Sequence, residues 1–140
     1  MEDIPQFILR TNYDKPSNYV EEVKDFGESC KMTNPTCGDV VEVGINIHDN
    51  ILEEIVFSGS GCVLSIASAS IMTKTLNDST VDIGCVKKNE VLKIMDNDLA
   101  LNDCSHIDSQ EIKALSSVNR YSSRIHCVKL AWLTFEQCLC

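Results

Sequence analysis

The sequence predicts an α+β fold in which helices stack on one face of a small antiparallel sheet. Three observations carry this. Apolar residues alternate with period two between Asp39 and Ser58, the stretches after Gly61 follow helical spacing, and turn or cap signals separate the segments. At 140 residues, 44% of them hydrophobic, the chain fits one domain over residues 1–140 with a core large enough to fold unaided.

Residues 2–26 carry Ile4, Phe7 and Ile8, then Tyr19, Val20, Val23 and Phe26. They predict one or two helical turns on each side of the Lys15-Pro16-Ser17-Asn18 break, packed by one apolar face. Next, Val41, Val43, Ile45 and Ile47 alternate with Val40, Glu42, Gly44 and Asn46. Asp49-Asn50 is a turn pair and Ile51 to Phe57 a returning strand, which makes a β-hairpin. Cys30 to Thr33 is a candidate third, edge strand.

After Gly61, Leu64, Ala67, Ile71 and Leu76, with Ser65, Ser68, Ala69 and Ser70 among them, predict a small-residue helix able to sit close to a sheet. Asp78-Ser79-Thr80 caps a helix running to about Met95, despite Gly84 inside it. Asp96 to Ser109 reads as a polar loop with a short bend, and Ser109-Gln110-Glu111-Ile112 opens a short helix ending near Ser117. The last helix begins at Ser122 or Ser123 and is anchored by Trp132, whose N–H needs a partner once buried.

Composition excludes several classes. No apolar run approaches the roughly 18–20 residues of a membrane span. Met1-Glu2-Asp3-Ile4-Pro5 lacks the basic and apolar regions of a signal peptide, so a cytoplasmic protein is expected. The net charge of −9, from 12 basic and 21 acidic residues, opposes nucleic-acid binding. It favours a partner with a basic surface, or merely keeps the protein soluble. Eight cysteines, about 6% of residues, fall below the roughly 8–10% of disulfide scaffolds. A disulfide framework is therefore not expected in this compartment.

The chemistry concentrates in Asn34-Pro35-Thr36-Cys37-Gly38-Asp39, answered by Gly59-Ser60-Gly61-Cys62 and by His126-Cys127. Cys37 and Asp39 are two apart at a strand entry, so a period-two backbone sends both to one face. Cys62 falls at a helix N-terminus and Cys127 in the first turn or so of the last helix, where the helix dipole favours a thiolate. Three thiolates and one carboxylate suit a soft divalent metal, but around a +2 ion they sum to −2. Arg124 is the candidate compensating cation, with an ordinary surface arginine as the alternative. A carboxylate is a harder ligand than thiolate, so Asp39 reads as the donor able to let go. His126 is a candidate alternate or fifth ligand, or simply a helix neighbour of Cys127. Cys85 and Cys104 read as core, Cys138 and Cys140 as exposed thiols, and Cys30 as either cluster or edge strand; His48 and His106 read as solvent-facing. Four closing ligands and no spare glutamate in the motifs speak against a zinc hydrolase.

These stretches, with Gly-Ser-Gly-Cys-Val-Leu-Ser-Ile-Ala-Ser-Ala-Ser at 59–70 and Arg-Ile-His-Cys-Val-Lys-Leu-Ala-Trp at 124–132, resemble the U-type iron–sulfur cluster assembly family: IscU, SufU and the N-terminal domain of NifU. The resemblance runs from about Tyr19 to Leu139 and looks most like SufU, although His126 stands where SufU proteins usually carry lysine. It implies an α+β sandwich with a three-stranded sheet. It also implies a pyridoxal-phosphate cysteine desulfurase as partner, Cys37 as sulfur acceptor, and Cys37, Asp39, Cys62 and Cys127 as holders of zinc or a transient iron–sulfur cluster. A downstream iron–sulfur carrier or SufBCD-like scaffold would receive the product, and the activity would be at most that of a sulfurtransferase. Tyr121-Ser122-Ser123-Arg124-Ile125 stands where IscU proteins carry a chaperone-recognition motif, so that chaperone is not implied. The alternative reading is a zinc-stabilised interaction domain without sulfur transfer.

Overall fold

Helix α1 (Ile4–Asp14) precedes three strands, β1 (Glu28–Thr33), β2 (Val40–His48) and β3 (Ile51–Ser60), in the computed structural model. Helices α2 (Val63–Leu76), α3 (Val81–Met95), α4 (Gln110–Ser116) and α5 (Ser122–Leu139) follow, with short 3-10 turns at Leu101–Asp103 and Ser117–Arg120. Residues 3–107 and 109–140 are described, so position 108 of the expected polar loop lies outside the described residues, as do the first two of the chain. No helix among them is long and apolar enough to cross a membrane.

The strands lie antiparallel in the order β1-β2-β3, the expected α+β arrangement with the edge strand in place. Asp49 and Asn50 take φ of 51° and 63°, the left-handed pair that a two-residue hairpin turn requires. Val41, Val43 and Ile45 are fully buried toward the helices, but Ile47 is 41% exposed. Asn46 pairs with Glu54 and Ile47 with Leu52, so Glu53 is an extra residue on β3. Such a bulge breaks the alternation, and Leu52 and Ile55, three apart, both face the core.

The N-terminal segment departs from expectation beyond the break. Only residues before it are helical, begun by a capping box between Asp3 and Gln6 behind Pro5. Residues 19–26 form an irregular strap, paired to β3 only at its start. Val20 N–H donates to Phe57 O at 2.8 Å, and Phe57 N–H donates to Asn18 O at 3.0 Å. Val23 and Phe26 fill the space over Gly44, where a Cβ would come within 2.7 Å of Val23 and 2.9 Å of the Phe26 ring. A sheet backbone without a side chain at this point offers the strap better burial than helical turns would.

Helix α2 is buried nearly all round, and its small polar residues are the reason this is tolerable. Ser68 Oγ–H donates to Val128 O at 2.6 Å and accepts from Trp132 Nε1–H at 2.8 Å; Ser70 Oγ–H donates to Asn12 Oδ1 at 2.8 Å. Trp132 is fully buried as anticipated, and its hydrogen bond fixes α5 to α2. Thr80 caps α3 by accepting from Ile83 N–H at 3.1 Å, and Ser109 caps α4 by accepting from Ile112 N–H at 3.0 Å.

The cysteines correct a second expectation. Cys30 is bonded to Cys138 and Cys85 to Cys140, with Cα separations of 5.5 and 6.1 Å. Cys138 and Cys140 are therefore not exposed thiols, nor is Cys85 a free core thiol. Positions two apart on a helix point to opposite flanks. One flank of the α5 terminus meets β1 and the other meets α3, so divergence supplies each sulfur with a separate partner. Cys104 remains free and packs against the core.

The tightest backbone approach near the hairpin's open end lies at Gly59, where a Cβ would sit 2.4 Å from the Val40 carbonyl oxygen. Backbone cannot give way as a side-chain tip can. Gly59→Ala is expected to cost about 1–3 kcal/mol through overpacking, measured by urea denaturation; an unchanged midpoint would show that the strands separate freely there.

Candidate metal centre

The segment between β1 and β2 closes on itself. Asn34 N–H donates to Asp39 O and Gly38 N–H donates to Asn34 O, each at 2.8 Å, while Thr36 N–H donates to Asn34 Oδ1 at 2.9 Å. Gly38 turns the chain at φ 76°, a left-handed value that suits glycine. Cys37 thus stands in a turn before β2, and it converges with Asp39 through loop closure rather than through strand alternation. One donor atom from each of Cys37, Asp39 and Cys127 lies within 4.8 Å of the others. Cys37 is exposed, whereas Asp39 and Cys127 are buried.

Asp39 reaches across to the start of α2. Its carboxylate accepts from Ser65 Oγ–H at 2.5 Å and from Cys62 N–H, with the thiols of Cys37 and Cys62 hydrogen-bonded to it as well. The carboxylate also lies flat against Gly61, where a Cβ would fall 2.6 Å from Asp39 Cγ. Burial alone would push this carboxyl up. The Ser65, Cys37 and Cys62 hydrogen bonds outweigh burial and hold it below the ordinary carboxylate range.

Cys62 is the N-cap residue of α2, as its position after the glycine turn predicts, and makes no side-chain cap bond. Its sulfur meets Ser65 Oγ at 3.7 Å and hydrogen-bonds Cys127, although it lies outside the tight three-donor group. Cys127 departs from the sequence reading. It sits six residues into α5, past the first turn, so the helix start gives it little help. Burial first, then its bond to Cys62 and the charges of Cys62, Cys37 and Asp39, push its thiol up to about 12.

His126 is exposed and lines a groove of about 280 Å³ between the 34–36 turn and α5, with Met32, Pro35, Lys129 and Leu133. It flanks the three-donor group without belonging to it. Arg124 lines a different cavity with Gln6, Leu64 and Tyr121, and among the described residues the groups acting on Cys127 are Cys62, Cys37 and Asp39. Sequence reasoning missed Ser65. It stands three residues after the helix cap, the position whose side chain points back to the N-terminus, and that spacing was the available signal.

Comparison with known proteins places the chain as a whole. The family described as NifU-like N terminal domain matches residues 7–131. The zinc-dependent sulfurtransferase SufU of Bacillus subtilis is 29% identical over 130 residues, 93% of this chain and 85% of that protein. The iron–sulfur cluster assembly scaffold protein IscU of Streptococcus pyogenes is 29% identical over 116 residues, 80% and 69% of the respective chains. Among solved structures, the N-terminal part of a NifU-like protein from Brucella abortus superposes with a TM-score of 0.75 at 14% identity, covering 94% of this chain and 88% of that one.

Two outcomes follow from the electrostatics. Asp39 contributes stability above its unfolded pKa of about 3.9, and loses it as pH falls through the lowered folded value. Ser65→Ala is expected to raise that folded value and to cost about 1.5–3 kcal/mol at neutral pH. Acid unfolding followed by Trp132 fluorescence should then begin at higher pH than in wild type, and coincident curves would refute the hydrogen bond's role. Metal-free protein keeps Cys127 protonated at neutral pH, so zinc must displace that proton. Proton release on zinc titration, with affinity rising between about pH 6 and 8, is the expected result; a flat profile would contradict it.

Proposed function

The chain belongs to the NifU-like N-terminal domain family, and from that premise we propose that it is an iron–sulfur cluster assembly protein of the SufU/IscU type that accepts sulfur at Cys37. The observation that carries the reading is an asymmetry of access: an exposed thiol on a closed turn stands beside two buried donors. The donor set fits zinc, since soft thiolates supply most of the charge and the carboxylate is the weaker partner. Cys37, Asp39, Cys62 and Cys127 would hold the ion, with His126 as the alternate ligand nearest their rim. When bound, zinc supplies the positive charge that keeps these thiols deprotonated.

The sulfur donor is the persulfide of a pyridoxal-phosphate cysteine desulfurase. The Cys37 thiolate attacks the outer sulfur of that persulfide, and a new S–S bond forms on Cys37. The donor's S–S bond breaks, its electron pair leaves on the donor cysteine, and a proton neutralises it. Buried Cys127 is out of reach of such a partner and serves to hold rather than to react. Asp39 is already held by Ser65 and Cys62, so its carboxylate has a resting place on the protein whenever it leaves the metal. Iron–sulfur clusters enter as cargo of the same residues, for delivery to a downstream carrier or a SufBCD-like scaffold. Arg124 is given no step. The reading takes residues 1–140 as one domain working in the cytoplasm.

Incubation with a cysteine desulfurase and cysteine, followed by peptide mass spectrometry, tests the acceptor. One added sulfur on Cys37, abolished in Cys37→Ser, is expected. Zinc binding without sulfur on any cysteine would replace this reading with a zinc-stabilised interaction domain, and sulfur confined to Cys104 would move the acceptor. Asp39→Ala is expected to weaken zinc binding about 10-fold, a change of about 1.4 kcal/mol, in a chelator competition; unchanged affinity would remove Asp39 from the ligand set.

A further inference from the structure

Five cysteines lie outside the metal centre; Cys104 is free, and the other four are paired at one end of α5. We propose that Cys85–Cys140 and Cys30–Cys138 form a dithiol–disulfide exchange site, which takes electrons from a protein or small-molecule dithiol and thereby releases the end of α5 from α3 and β1. None of its four cysteines belongs to the metal centre, so the proposal stands whether or not Cys37 accepts sulfur.

The placement sets the order of events. Cys140 is exposed, while Cys30, Cys85 and Cys138 are half-buried, so the sulfur of Cys140 is the point of entry. An incoming thiolate attacks it, the bond to Cys85 breaks, and the electron pair leaves on Cys85, which takes a proton. The reductant's second thiol then attacks the mixed disulfide, frees the Cys140 thiol and leaves the reductant as a disulfide. Two electrons pass from reductant to protein. Lys88 lies one helical turn from Cys85, and Glu136 one turn from Cys140. The Lys88 ammonium, 3% exposed, meets Glu136 Oε2 at 2.8 Å and Asn89 Oδ1 at 2.7 Å. This non-covalent link keeps α3 and α5 in register while the covalent one opens, so the bond can re-form.

The second pair reaches further. Cys30 lies on β1, which runs directly into the turn carrying Cys37, and Cys138 lies on the helix that carries Cys127. Its bond therefore ties together the two elements that hold the exposed and the buried sulfur donors, along the seam where the groove with Met32 and Leu133 opens. Opening Cys30–Cys138 by the same two-electron exchange loosens that seam.

The test uses the full chain, alkylated at lysis to trap free thiols and then titrated in buffers of reduced and oxidised dithiothreitol. Expected are peptides linking Cys85 to Cys140 and Cys30 to Cys138, a mass gain of about 2 Da per bond opened, and Cys140 alkylated before Cys138. Amide exchange in β1 and the last turn of α5 should accelerate on reduction and recover on reoxidation. Cys140→Ser should expose Cys85 to alkylation and leave Cys30–Cys138 closed. Four fully alkylated cysteines at lysis that stay open in oxidised dithiothreitol would overturn the proposal, as would amide protection indifferent to reduction. Should Cys140→Ser fold poorly, the wild-type titration decides alone.

Discussion

One buried carboxylate organises this structure. Asp39 enters β2 with its charge aimed at the first turn of α2, where a backbone N–H, a serine hydroxyl and the helix dipole all favour a negative group. A carboxylate in so dry a place is costly unless its oxygens are satisfied. The satisfaction comes from two separate segments, the 34–39 turn through Cys37 and the α2 terminus through Cys62 and Ser65, while Gly61 leaves the room for their approach. Each must be correctly built for the other to close. Gly61 is there because the carboxylate occupies the space a side chain would need. The open end of the hairpin is thereby pinned to the helix layer, and the sulfur donors are carried into place by the same contact.

The hairpin, the edge strand, the four later helices and the anchoring of Trp132 were legible because each rests on local signals: a period, a cap or a turn pair. Failures came where distant residues decided the outcome. Residues 19–26 have the apolar content of a helix but find a bare backbone at Gly44 and an open strand edge at Phe57, neither of which spacing can reveal. The bulge at Glu53 turned Ile47 outward for the same reason. At the site, the residue types and their neighbourhoods were readable, but the physical causes were partly different. Loop closure stands where strand alternation was expected, and burial raises Cys127 where a helix start was expected to lower it.

Apart from Cys104, two populations of cysteine share this small chain, and topology separates them. Those on turns and the early part of α5 face the hairpin's open end; those at the end of α5 lie under β1 and α3. Both groups meet on a single helix, whose middle is fixed by the Trp132–Ser68 hydrogen bond. That bond holds the middle of the helix against α2, between its two cysteine-bearing ends.

The strap over β3 has a bearing on how the molecule behaves in a crowded solution. The outer edge of β3 is occupied at Phe57 by residues 18–20, and at its other end by the chain around Ser79, whose carbonyl accepts from Leu52 N–H at 2.8 Å. Among the described residues, a foreign strand seeking to extend the sheet finds β1 as its open edge, and that strand is six residues long, with Glu28 and Lys31 exposed on it. Short, charged borders are poor templates for amyloid-like stacking. The exposed Cys37 thiol thus sits beside a sheet whose borders offer little purchase for a second strand.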